Sequence, residues 1–146
     1  MEMLLPCLYA FLACVAFSMV FELRRWRYIL SAAATGAVAW LVYLLLADLG
    51  MVNRYLLATI AAAALSEIFA RIYKTPATVF LIIGIVPLVP GGGIYYTMDA
   101  LLNGQMDLFL AKALETVAYA GAIAVGCSLV SSMARILTTL RRRGHF

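Results

Sequence analysis

In this chain of 146 residues, 66% are hydrophobic and only 12% charged, with a net charge of +4 and a mean hydropathy of +1.00. A soluble domain carries about 25% charged residues, so too little polar surface is present to cover the chain in water. Composition excludes an ordinary soluble domain and makes lipid the expected solvent for much of the outside.

Five apolar runs follow one another along the chain, at residues 3–21, 28–47, 53–71, 76–98 and 109–137. A helical crossing takes roughly 20 apolar residues. The first two runs are uncharged inside, the third contains Glu67, the fourth is interrupted near 87–93, and the fifth is charge-free over 116–133. Helices are expected because each satisfies its own backbone hydrogen bonds in lipid. A β-barrel would instead show short alternating segments. The expected fold is therefore all-α: one polytopic transmembrane helix bundle over 1–146, about five spans, with a basic tail at 138–146.

The first run lacks the basic n-region of a signal peptide, since Glu2 precedes it and Arg24, Arg25 and Arg27 follow. It reads as an uncleaved span. With five spans, nine of the eleven basic residues fall on one side of the membrane, leaving Arg54 and Lys112 on the other. The positive-inside rule places the nine in the cytoplasm, with the N-terminus outside and the C-terminus inside an inner or plasma membrane. The same asymmetry accounts for the basic tail without nucleic acid, for which the motifs are missing.

Cys7, Cys14 and Cys127 lie in apolar runs without metal-ligand spacing, so no metal, cofactor or disulfide framework is expected. No catalytic motif of an enzyme is present. Small residues point to tight helix packing. They are Ala118, Ala122 and Gly126 on the fifth run, Ala32 and Gly36 beside Trp40 on the second, and Ala61 to Ala64 on the third.

The fourth run is the informative one. Pro76 suits a first helical turn. Pro87 and Pro90 each remove a donor, so the carbonyls of Ile83 and Val86 lose their helical partners. Gly91, Gly92 and Gly93 then free the backbone for positive φ. Two half-helices around a break are expected, with substrate-binding candidates Pro87, Pro90, Gly91, Gly92, Gly93, Tyr95 and Tyr96. The start of the second half-helix can hold a carboxylate through backbone N–H groups, as broken helices do in secondary transporters. The competing reading is a loop at the membrane edge. Pro76 to Pro87 spans roughly 18 Å of helix, too short for a full crossing, which favours a break within the membrane.

Three carboxylates are candidates for proton coupling: Glu67, Glu115 and Asp99. Each has a plainer reading. Glu67 has Arg71 at i+4 and Glu115 has Lys112 at i−3, both good ion-pair spacings. Asp99 is expected at the outer surface. Tyr95 and Tyr96 suit either an interfacial aromatic anchor or phenol donors to substrate.

Pro87-Leu88-Val89-Pro90-Gly91, within the stretch from Ile85 to Met98, resembles the signature of the threonine/serine exporter family. Phe17-Ser18-Met19-Val20-Phe21 and Arg71-Ile72-Tyr73-Lys74-Thr75-Pro76 resemble the same family's small-subunit branch. That resemblance implies a split exporter of threonine and serine, or of succinate in relatives of the split type. It also implies a larger partner subunit with a soluble N-terminal domain. A homo-oligomer in the membrane stays open. So does a second role, that of a structural subunit which stabilises a partner without touching substrate.

Overall fold

The computed structural model describes residues 4–143. These form six α-helices and one 3-10 turn, with no strand among the described residues. The helices are α1 (Leu4–Val20), α2 (Trp26–Leu45), α3 (Met51–Tyr73), α4 (Thr78–Gly84), α5 (Gly91–Leu102) and α6 (Met106–Arg143), with the 3-10 turn at Val86–Leu88 between α4 and α5. Three of them, α2, α3 and α6, are long and apolar enough to cross a membrane. A fourth span results if the bent pair Thr78–Leu88 and Gly91–Leu102 counts as one, while α1 is apolar and 17 residues long. The fold is an all-helical, multi-pass membrane bundle.

Helix ends follow local chemistry. α1 stops where Glu22 takes a left-handed φ of 56° and the Leu23 N–H reaches back to the Ser18 carbonyl at 3.0 Å. α3 stops in the same way at Lys74, with φ 53°, and Thr75 N–H donates to the Ala70 carbonyl at 3.0 Å. This six-to-one closure satisfies carbonyls that a helix end would otherwise leave open. Pro76 then prevents α3 from resuming. Both stops lie at the end of the bundle that carries Arg24, Arg25, Arg27, Arg71 and Lys74.

α2 and α3 form the centre. α1 and α4 pack on α2, and α6 packs on α3. The core is lined by small residues, with Ala32, Ala39, Ala58 and Ala62 fully buried and Phe80, Ile83 and Leu88 inserted among them. Buried hydroxyls are satisfied within their own helices: Ser18, Thr35, Thr59 and Ser66 donate to the carbonyls of Cys14, Ser31, Tyr55 and Ala62. Each such group thereby packs like a small apolar side chain. The outside is densely apolar, from Leu8 and Leu12 on α1 to Leu114, Val117 and Met133 on α6. An aqueous surface would not expose such a continuous patch.

The small-residue seams are partly as expected. Ala122 and Gly126 are buried, and a Cβ on Gly126 would lie 3.0 Å from Thr59 Cβ and 3.1 Å from the Leu56 carbonyl. Ala118, expected in the same seam, is exposed. At that height α3 and α6 meet instead through the stacked rings of Tyr55 and Tyr119, 4.9 Å apart.

Candidate functional site

The interruption lies against the middle of the bundle. Pro87 packs near Gly36, whose added Cβ would be 3.4 Å from the proline ring, and Leu88 is fully buried with Ala39, Ala58 and Ala62. Gly36 and Ala62 sit near the midpoints of α2 and α3.

The carbonyls freed by the prolines find partners. Ile83 O accepts the Cys14 thiol at 3.4 Å, across from α1. Val86 O accepts the Val89 N–H at 3.2 Å in the 3-10 turn. Cys14 is therefore more than a small buried hydrophobe: it ties α1 to the break. Gly36 allows this approach, because a Cβ there would come 2.3 Å from Cys14 Sγ.

One expectation is corrected. Gly91, Gly92 and Gly93 do not form the break and do not take positive φ; they are the first turn of α5, behind Pro90 at the N-cap. The non-helical part shrinks to Val89 and Pro90. Proline at φ −76° ends the 3-10 turn and starts α5, and glycine follows the helix as readily as it would leave it. The axis turns by 50° between the two halves.

The first turn of α5 leaves donors open. Gly91 N–H bonds to Val89 O at 2.7 Å and Ile94 N–H to Pro90 O at 3.1 Å. The intervening amides of Gly92 and Gly93 have no earlier helical turn to donate to. Gly91 and Gly92 are exposed, with nothing within 4 Å of an added Cβ, whereas Gly93 faces Thr116 of α6 at 2.6 Å. Tyr95 and Tyr96 are both exposed, 5.4 Å apart edge to face. The structure thus half-buries Pro87, buries Pro90 and turns Gly91, Gly92, Tyr95 and Tyr96 outward.

The three carboxylates separate. Glu115 pairs with Lys112 at 3.0 Å, as spacing predicts. Asp99 is exposed and accepts Asn103 Nδ2 at 3.2 Å. Glu67 does not pair with Arg71, because Lys112–Glu115 is the one ion pair among the described residues. It is half-buried and lines a cavity with Thr78 of α4 and Ser131, Arg135 and Thr138 of α6. Ser131 and Thr138 escaped the sequence reading, and Arg135 counted there only among the nine basic residues of one side. Their spacing of four and three residues places them on one helix face, a signal that was present within an otherwise apolar run.

The opposite end of the bundle carries an aromatic ladder. Trp40 stacks on Tyr43, Tyr43 meets Tyr55, and Tyr55 stacks on Tyr119. Arg54 lies 4.2 Å over the Tyr43 ring and donates from Nε to the Tyr43 carbonyl at 3.1 Å. A guanidinium held in this way is partly shielded from lipid.

Among known families, the model described as threonine/serine exporter, ThrE, matches residues 6–133. That range includes the whole break and most of α6. The threonine/serine exporter of Corynebacterium glutamicum is 30% identical over 123 residues, which is 84% of this chain and 24% of that relative. The chain thus spans about a quarter of the relative's length. No solved structure matches.

Proposed function

The chain belongs to the threonine/serine exporter family, and from that premise we propose that it is a membrane subunit of a secondary-type exporter. Its cargo would be a small carboxylate-bearing metabolite, either threonine and serine or a dicarboxylate such as succinate. It would work with a larger subunit that carries a soluble N-terminal domain. The observation that carries this reading is the interruption at mid-height of α2 and α3, followed by two open amides at the exposed start of α5. Unsatisfied backbone donors are costly in hydrocarbon and are tolerated where protein or a watery cavity covers them. In this chain nothing covers Gly91 and Gly92. A second subunit or a second copy is needed to close the path, with the amides facing a substrate carboxylate.

The test is export by the assembled complex. Purification in mild detergent is expected to yield a heteromer or an oligomer, and cells that carry it are expected to release threonine, serine or succinate faster than cells without it. An isolated chain that exports at full rate in vesicles would refute the need for a partner. A stable complex with no flux of any of the three would favour a purely structural subunit.

For the membrane arrangement we propose five spans in the plasma membrane, with α4 and α5 as one broken span and α1 as the first. The N-terminus is outside and the C-terminus inside, as the nine-to-two basic asymmetry requires. Terminal tags check this. The N-terminal tag is expected to react with an impermeant label in intact cells, and the C-terminal tag only after permeabilisation. C-terminal labelling in intact cells would overturn the orientation.

A further inference from the structure

α4 and α5 part at the bend. α4 packs on α2 and α3, whereas α5 packs on α6. The 50° turn between them splays α4 away from the distal half of α6, and a cleft of about 480 Å³ opens there over α3. Its lining is mixed, with Ala77, Leu81 and Ala134 beside a group of polar side chains. Glu67 projects from α3, Thr78 from the start of α4, and Ser131, Arg135 and Thr138 from one face of α6. Leu81 lies toward the break, one turn before Ile85.

Glu67 and Arg135 bring opposite charges into one cleft, yet they do not form an ion pair with each other. A carboxylate and a guanidinium that share a cavity without meeting leave room for a ligand that carries both charges. We propose that this cleft is the loading site for a zwitterionic α-amino acid. Glu67 receives the α-ammonium, Arg135 the α-carboxylate, and the hydroxyls of Ser131 and Thr138 a hydroxyl on the ligand's side chain. Guanidinium suits the second task because its planar fork binds a carboxylate through two donors. The volume lies within the usual range for small-molecule pockets.

This assignment rests on the exporter reading and narrows its cargo. A dicarboxylate would place its second carboxylate beside Glu67, where like charges repel, so the cleft selects against it. Leu81, on the wall of the cleft, precedes the 3-10 turn by one helical turn of the same segment.

Uptake into inside-out vesicles that hold the complete exporter complex tests the site. Labelled threonine is the probe, with serine, N-acetylthreonine and succinate as competitors. In the unchanged complex, serine is expected to compete, while N-acetylthreonine, which lacks the ammonium, and succinate are not. Glu67→Gln and Arg135→Gln are each expected to raise the threonine KM by about tenfold or more, the scale of a lost hydrogen bond to a charged group. Arg135→Lys is expected to fall between. KM reads the site independently of how much protein reaches the membrane. Arg135 is exposed on α6, so its variants keep the test open even if Glu67→Gln assembles poorly. Threonine KM values within twofold of the unchanged complex in Glu67→Gln and Arg135→Gln would overturn the assignment. So would uptake of succinate without threonine, although the exporter reading would then stand. Uptake of neither would remove the exporter reading itself.

Discussion

Gly36→Ala is expected to destabilise the bundle by about 1–3 kcal/mol, the usual penalty for overpacking a filled core. The new Cβ would lie 2.3 Å from Cys14 Sγ and 3.4 Å from the Pro87 ring. A contact at 2.3 Å forces one of the three elements to move. α1 would be displaced, the thiol would lose its bond to Ile83 O, and the carbonyl freed by Pro87 would be left open in the core. Truncating the obstacle separates this mechanism from general damage. Cys14→Ala removes the sulfur, and only the Cβ at 3.5 Å remains, an ordinary contact. The double variant is therefore expected to be more stable than the sum of the two single effects, with a coupling of about 0.5–3 kcal/mol. Thermal unfolding of the purified complex in detergent measures it. Strict additivity would mean that Gly36 and Cys14 do not share the contact on which the break rests.

The apolar runs gave the helices because hydropathy reports the part of a helix that lipid touches. Runs 28–47 and 53–71 differ from Trp26–Leu45 and Met51–Tyr73 by only about two residues at each end. The ends shift because hydrogen bonding, not hydropathy, sets them. Asn53 and Arg54 are polar yet helical, and α3 begins where Gly50 O accepts the Asn53 and Arg54 N–H groups. The long α6 hides in the same way, since Asp107 and Arg135 belong to the helix but interrupt its apolar signal.

The break was legible from its prolines, while its handling of the glycines was not. Two prolines three apart name the carbonyls that lose their donors, and both carbonyls do find other partners. No local feature says that one partner is a thiol sixty-nine residues earlier. Nor does a run of glycines announce the sign of φ, since glycine adopts either. The carboxylates divide along the same line. Lys112–Glu115 is a neighbour on one helix and forms as spacing predicts. Glu67 has an equally good local partner in Arg71 and does not use it, because the splay of α4 from α6 opens a cavity on its other side. That splay depends on which helices the two halves of the broken segment choose to pack against, and such a choice is written in no single stretch of sequence.

Gly91→Val and Gly92→Val are expected to reduce export by about tenfold or more while leaving this chain's own stability nearly unchanged, within about 0.5 kcal/mol. Both positions have helical φ and open space around an added Cβ, so valine meets no obstacle inside the subunit. What it blocks is the approach from outside to the Gly92 and Gly93 amides, which are the open donors of α5. Gly93→Val supplies the contrast. Its Cβ would come 2.6 Å from Thr116 Oγ1, so it is expected to loosen α5 from α6 and to lower stability as well as flux. Pro87→Ala is expected to be milder than either Gly91→Val or Gly92→Val, because Ile83 O already holds the Cys14 thiol and alanine fits the half-buried site. Since backbone amides do the binding in this scheme, removing any one charged side chain near the break, Asp99 included, leaves the affinity at the break itself unaltered. Export rate, membrane abundance and complex assembly are measured side by side for each variant. Full export by Gly91→Val and Gly92→Val in an intact complex would reduce the start of α5 to a bend in the chain, and the path would have to run elsewhere. Loss of export together with loss of assembly would place the partner subunit, not the substrate, against these two glycines.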